Sequence, residues 1–302
     1  MKTKTKLLFA LLLSVAVLNA MGQGSLDSLK QAAQQGDAGA QLQLGDLFRT
    51  GHGVPQNFGA AIEWYRLAAG QGNIAAQINL GTMYHLGLGV AKDDTQAVKW
   101  YQSPAKQGVP IAEFMLAQIY KQGEDGVKQN FPEAVKLLEK GVSDGFGPAS
   151  AALGELYYKG QGVGKDYGKA MQLLLPAASN GDALSQLLVG LMYKSGLGTK
   201  QNESESAKWI SKSAEFGLVP AQLEYGAMLR DGMGVPKDQV QAYKWFLIAD
   251  ERGGAENKSK SSVALKALQT HLTTEQMASA KRQATAWVDS RKPVYPGQLR
   301  SN

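Results

Sequence analysis

Several sets of side chains in this 302-residue sequence have the types or spacings that chemistry uses. Ser103 and Lys106 form a Ser-x-x-Lys pair, the spacing that sets a nucleophilic hydroxyl beside a lysine in penicillin-recognising enzymes. Such enzymes also need Ser-Asp-Asn and Lys-Thr-Gly elements, and neither occurs. Gly-x-Gly recurs along the chain; after a strand and before a helix it would cradle a pyrophosphate. Here a helical pattern precedes every copy, so the glycines read as helix stops. Asp93-Asp94 and Glu124-Asp125 are carboxylate pairs of the kind used in acid–base catalysis, yet both fall at turns or caps and read as solvated acids. His52, His85 and His271 are far apart in sequence, and His52 lies inside a turn. With no Cys, thiolate metal sites, a thiol nucleophile, disulfides and a lipoprotein anchor are excluded. Asn202-Glu203-Ser204 and Asn257-Lys258-Ser259 match the glycosylation sequon, which acts only in a eukaryotic secretory pathway. No nucleophile, acid and base come together. The expectation is a non-enzyme with no catalytic residues, no metal and no cofactor.

The elements around these residues are periodic. Glycine makes up about 12% of the chain, against about 7% in ordinary proteins, and it recurs in phase. Gly36, Gly72, Gly108, Gly145, Gly181 and Gly217 are spaced by 36 or 37 residues, and so are Gly53, Gly89, Gly126, Gly162, Gly198 and Gly234. The one extra residue lies in Gly123-Glu124-Asp125-Gly126. A fixed period of this length is the mark of a repeat architecture. Each unit reads as two helices. The first carries apolar residues at helical spacing, such as Ala40, Leu44 and Leu47. The second opens at Asn57, Asp93, Asn130, Asp166, Asn202 or Asp238, residue types whose side-chain oxygen accepts from free first-turn N–H groups. Further columns are Gly45, Gly81, Ala117, Gly154, Gly190 and Gly226, suited to close helix contact, and Trp64, Trp100, Leu137, Leu173, Trp209 and Trp245, read as core. Pro104 and Pro176 fall late in second helices and are expected to kink or shorten them.

The string Gly36-Asp37-Ala38, Ala40-Gln41, Leu44-Gly45, Gly51-x-Gly53-Val54, Trp64-Tyr65, Ala68-Ala69 resembles the Sel-one-like (SLR) repeat, a relative of the tetratricopeptide repeat. The resemblance extends over all six units, with Leu-Leu replacing Trp-Tyr in units three and four and Thr199 standing where Val is usual. It implies an all-α fold, a right-handed α/α superhelical solenoid of six two-helix repeats with capping helices. It also implies protein–protein interaction without catalysis, in an adaptor whose concave groove holds a protein or peptide partner. A cysteine-rich branch of the family has been linked to penicillin binding, and the absence of Cys keeps that property from carrying over.

Numbered from each closing glycine, offsets +4, +8 and +11 of the first helix point one way and are mostly apolar. Offsets +10 and +13 point away and vary, and are expected to line the groove. The first set is Asp46, Thr82, Gln118, Glu155, Leu191 and Ala227; the second is Arg49, His85, Lys121, Tyr158, Lys194 and Arg230. The mostly cationic second set has two readings: it suits a carboxylate-bearing partner, and it also offsets the helix dipole at a last turn. Ile111 and Leu184, beside Leu188 and Leu191, could add an apolar patch or simply pack between units.

The flanks differ from the repeats. Lys2, Lys4 and Lys6 precede an apolar run of 12 residues, Leu7–Leu18, then Ala20 and Gly22. This is the pattern of a signal peptide over 1–22, cleaved after Ala20 or Gly22, and it is too short for a membrane span of about 20 residues. The protein is therefore expected to be exported, periplasmic or secreted, with no transmembrane segment. A capping helix is expected over 23–35, the repeats over 36–254, capping helices over 255–290 and a flexible tail over 291–302. The net charge of +6 suggests nucleic acid at first sight. However, residues 1–22 hold three Lys and no acid, and residues 255–302 hold eight bases and three acids. The rest is slightly acidic, so no nucleic-acid partner is expected. The basic end could instead associate with anionic envelope polymers. That, or an antibiotic-binding protein with weak enzymatic activity at Ser103, is the alternative function.

Overall fold

The computed structural model describes residues 23–291. The expected signal peptide and residues 292–302 of the expected tail lie outside the described residues. Fifteen helices are described. Helix α1 is Gln23–Gln34. The six repeats follow as pairs: α2 (Ala38–Thr50) and α3 (Phe58–Gly70), α4 (Ile74–Leu86) and α5 (Asp94–Lys106), α6 (Pro110–Gln122) and α7 (Phe131–Ser143), α8 (Gly147–Lys159) and α9 (Tyr167–Ser179), α10 (Ala183–Ser195) and α11 (Glu203–Phe216), α12 (Val219–Asp231) and α13 (Gln239–Arg252). Helices α14 (Ala255–Gln269) and α15 (Thr274–Asp289) complete the described chain. It divides into two compact units, before and after the Phe146–Gly147 bond.

The repeat helices follow from their ends and their faces. All six Asn or Asp residues of the second-helix column act as N-caps, each accepting from the backbone N–H three residues on. First helices stop where glycine takes the left-handed conformation, as at Gly51 (φ 74°) and Gly196 (φ 66°). A side chain is strained there. Offsets +4, +8 and +11 are buried in nearly every repeat, for example Ala76, Leu80 and Met83 at 0–1% exposure. Fully burying a Leu or Met stabilises by about 1.5–3 kcal/mol, so this face fixes how each first helix docks.

The Gly45 column is a contact of backbone against side chain. A Cβ on Gly45 would come within 2.4 Å of the Tyr65 ring, and one on Gly190 within 2.5 Å of Ile210. The partners are the residues one position after the Trp column: Tyr65, Tyr101, Leu138, Leu174, Ile210 and Phe246, all nearly fully buried. The Trp column packs against the buried clusters from their edge: Trp64, Trp100, Leu137 and Trp209 are half-buried there and Trp245 is buried. One residue is a rotation of about 100° on a helix. That places Trp100 against the Ala61–Met83 cluster, which joins α3 of the preceding repeat to α4 of its own.

One expectation needs correction. Pro104 and Pro176 do not shorten their helices relative to α3 and α7, since all four have 13 residues, one fewer than α11 and α13. Each proline removes a single backbone donor near a helix end, and burial of neighbours such as Ala105 and Ala178 holds the turn. Helix α14 begins at Ala255, eight residues before its apolar stretch at Val263. Its exposed first turns lack periodicity, but a Glu256–Lys260 pair at 2.6 Å supports them. Thr273 and Gln276 form the reciprocal capping box that starts α15.

Candidate interaction face of the first helices

In the unit before Gly147, the +10 and +13 side chains are half-buried and engaged with their neighbours. Asp46 accepts from the Tyr65 hydroxyl at 2.7 Å and from Asn79 Nδ2 at 3.3 Å. Arg49 Nε donates to the same hydroxyl at 3.0 Å, and its guanidinium lies 3.7 Å from Asp46. Burial raises the Asp46 carboxyl above the usual aspartate value, although Tyr65, Arg49 and Asn79 all oppose it. Burial, then the Asp46 charge, push the Tyr65 hydroxyl far up. In the next repeat, Thr82 donates to the Ile78 carbonyl at 3.0 Å, which leaves its oxygen to accept from Tyr101 at 3.0 Å. Burial pushes the Tyr101 hydroxyl up to about 12. His85 Nδ1 lies 2.5 Å from the fully buried Asp94. Gln118 and Lys121 are also half-buried, and Lys121 has a partner within the chain.

In the unit from Gly147 on, the same columns are built differently. Glu155 is buried and pairs with Lys159 at 2.6 Å. Tyr158 meets Tyr167 edge-on at 5.7 Å, and burial, then Tyr167, raise its hydroxyl. Leu191 and Ala227 are half-buried against the apolar core. Lys194 pairs with Glu224, and Arg230 pairs with Asp231 through two hydrogen bonds of 2.8 and 2.6 Å. The Arg230 hydrogen bonds hold the Asp231 carboxyl below the usual range.

Two of these links locate the columns. Asn79 to Asp46 joins α4 to α2, and Lys194 to Glu224 joins α10 to α12. In the first unit a +10 residue, and in the second a +13 residue, thus meets offset +7 of the next first helix. The five cations of the +13 column all have interactions inside the chain. The face is therefore polar but locally compensated. The apolar patch is small: Leu184 is 42% exposed, Leu188 is buried and Ile111 is half-buried.

One functional column was missed in the sequence. Offset +5 holds Gln41, Gln77, Glu113, Ser150, Gln186 and Gln222. The four glutamines are buried, and each donates to a late carbonyl of the preceding helix: Ala33, Ala69, Ala178 and Ala214, at 3.0–3.3 Å. These carbonyls have no intrahelical donor, so the column ties each repeat to the helix before it. In repeat three Glu113 cannot donate. Lys140 supplies the missing donor to the Ala105 carbonyl at 3.4 Å and also pairs with the fully buried Glu113. A Gln recurring beside the buried Ala of each first helix was the available signal.

The residues with catalytic spacing come apart. Ser103 and Lys106 are exposed, and Ser103 Oγ accepts from Gln107 at 3.3 Å. His52 and His271 are exposed. Asp94 corrects the reading of Asp93-Asp94 as solvated: Asp93 caps α5, whereas Asp94, the first helical residue, turns inward to His85. Glu124 and Asp125 pair with Lys92 at 3.4 and 2.6 Å. Among the described residues, no cluster could hold a metal ion and no helix is long and apolar enough to cross a membrane.

Six helix pairs, a glycine contact inside five of them and side-chain ties from first helices to the helix before define an all-α solenoid repeat protein. The chain belongs to the Sel1 repeat family, whose model matches residues 38–73, 74–109, 110–146, 147–182, 183–217 and 219–253. Sel1 repeat proteins are generally protein–protein interaction scaffolds and typically not enzymes. No curated protein sequence matches the chain. Among solved structures, the chain is similar to c5321, a protective antigen of uropathogenic Escherichia coli strains with an SLR fold, at 29% identity and a TM-score of 0.78. That match covers 92% of this chain and 61% of c5321, so the chain spans less than two thirds of that structure. A Sel1 repeat protein from Oxalobacter formigenes matches at 29% identity and a TM-score of 0.65, covering 82% of this chain and 95% of that one.

Proposed function

We propose that this chain is an exported scaffold that holds a protein or peptide partner on the face formed by its first helices. The observation that carries this reading is the contrast between two sets of columns. Offsets +4, +8 and +11 keep nearly one chemistry and are buried. Offsets +10 and +13, on the seam between successive first helices, change from Asp46 and Arg49 through Glu155 and Tyr158 to Ala227 and Arg230. Packing needs the first set, and recognition of one partner uses the variation of the second. Affinity comes from modest contacts summed over repeats. Because the +13 cations have partners inside the chain, selection rests on hydrogen bonding and shape more than on net charge.

Export is part of the proposal and rests on Lys2, Lys4, Lys6 and the apolar run that follows. Mass spectrometry of the protein from envelope and secreted fractions tests it: a mature N-terminus at Met21 or Gln23 supports it, and an intact Met1 contradicts it. For the binding face, a photo-crosslinking residue is placed singly at Thr82, Gln118, Leu191 and Ala227, and at the exposed second-helix positions Glu63, Lys136 and Lys208. Crosslinks to one protein from the first group alone are the expected result. Equal crosslinking from both groups would sink the assignment.

A further inference from the structure

The late helices of the second unit carry cations that the chain leaves uncompensated. Trp245 on α13 and Trp287 on α15 meet edge-to-face at 5.7 Å, and Tyr225 meets Trp245 at 5.9 Å. Three cations sit on these rings: Lys244 Nζ is 4.6 Å from the Trp245 centroid, and the Arg252 and Arg291 guanidiniums are 5.5 and 4.0 Å from that of Trp287. One carboxylate reaches the cluster. Glu215 accepts from Trp287 Nε1 at 3.0 Å and from Arg291 at 3.2 Å. Among the described residues, Lys244 and Arg252 have no ion-pair partner, in contrast to the cations of the first-helix face. Burial, and after it the Arg291 charge, hold the Lys244 ammonium below the usual lysine range, even though Glu215 pulls the other way.

Lys244 is half-buried and Arg252 is exposed beside it on the same helix; a half-buried cation without a counter-charge is an unfavourable arrangement that an anion relieves. Glu215 shows which anion this cluster takes: a carboxylate, held by an indole N–H and a guanidinium. Resting on the scaffold reading above, we infer that Lys244 and Arg252 receive the carboxylates of an acidic segment of the protein partner. Arg252 offers a planar donor fork stacked on an indole, and Lys244 offers a point charge whose stem is already desolvated. This anchor is separate from the +10 and +13 columns and supplies the charge selectivity that those columns lack.

The test uses the full chain and a penta-glutamate peptide as probe, with the tryptophan indole N–H signals followed by NMR. Saturable shifts of the Trp245 and Trp287 signals are expected. In Lys244→Ala/Arg252→Ala the apparent affinity should fall at least tenfold, and Lys244→Arg, which keeps the charge and leaves the Arg252 fork in place, should retain most of it. Lys121→Ala/Lys194→Ala should leave it unchanged, so loss of the groove reading and loss of this anchor are told apart. No saturable shift, or one that survives the double alanine variant, overturns the inference. Inorganic phosphate shifting both signals at the peptide's concentration also overturns it, because the site would then take anions in general.

Discussion

Repeats one and two, in the first unit, and repeats five and six, in the second, solve the same packing problem with different chemistry. In all four a glycine of the first helix receives a large side chain of the second. In the early pair that side chain is Tyr65 or Tyr101, and its hydroxyl is met by Asp46 or Thr82 at offset +10. In the late pair it is Ile210 or Phe246, and offset +10 is Leu191 or Ala227. A buried hydroxyl needs a partner, so a polar residue at +10 accompanies tyrosine in repeats one and two, an apolar one accompanies Ile210 and Phe246 in repeats five and six, and repeats three and four combine Leu138 and Leu174 with the polar Gln118 and Glu155. Offset +10 is therefore shared between the core and the interaction face.

That comparison can be broken at several points. The largest effect is expected from Gly45→Ala, which sets a methyl 2.4 Å from Tyr65. It should destabilise by about 3 kcal/mol, the upper end for overpacking a core. Gly226→Ala, 3.0 Å from Phe246, should cost clearly less in the same denaturant unfolding measurement. Repeat three carries Ala117 and Leu138 at these two columns, so Gly45→Ala/Tyr65→Leu should regain part of the loss. Next is Lys140→Ala, which strands the buried Glu113, while the Ala105 carbonyl keeps the Gly108 N–H at 2.9 Å. Breaking a buried ion pair costs about 3–5 kcal/mol, and because Lys140 is half-exposed the expected loss is about 2 kcal/mol. Glu113→Gln/Lys140→Ala should recover most of it by restoring the glutamine of the other repeats.

Smaller effects sharpen the early–late contrast. Tyr65→Phe removes the hydroxyl shared by Asp46 and Arg49 and should cost about 1 kcal/mol. Phe246→Tyr adds a buried hydroxyl beside an apolar +10 residue and should cost about as much or more, although the two changes are chemical opposites. The last effect shows only at high pH. Tyr101 is raised from its ordinary 10.0 to about 12, so its neutral form is favoured in the folded state. Its contribution is complete below pH 10 and lost as the pH rises through about 12. Thermal unfolding of the wild type should fall more steeply over that range than that of Tyr101→Phe.

Much of this architecture is legible in the sequence because it is periodic. The six Asn or Asp caps, the glycine turns and the buried +4, +8 and +11 columns each depend on local backbone geometry, and repetition multiplies a weak local signal. What does not repeat is harder to see. Asp94 looks like a turn acid beside Asp93, and only the packing of α4 against α5 brings it to His85. Helix α14 starts without apolar periodicity. The +13 cations look available in the sequence, but their partners lie on other turns or other helices, as Glu224 does for Lys194. The Trp245–Trp287 cluster joins residues 42 positions apart through a helix that has no counterpart in the repeats.

The central claim is that the seam of the first helices selects a partner. Its most direct measure is the affinity of the crosslinked partner for the wild type and for Lys121→Ala/Tyr158→Ala/Lys194→Ala, each checked for an unchanged helical signal. A loss of at least tenfold is predicted, about 1.4 kcal/mol or more, with no more than a twofold change in Glu63→Ala/Lys136→Ala/Lys208→Ala. Equal affinities for the two triple variants would contradict the account.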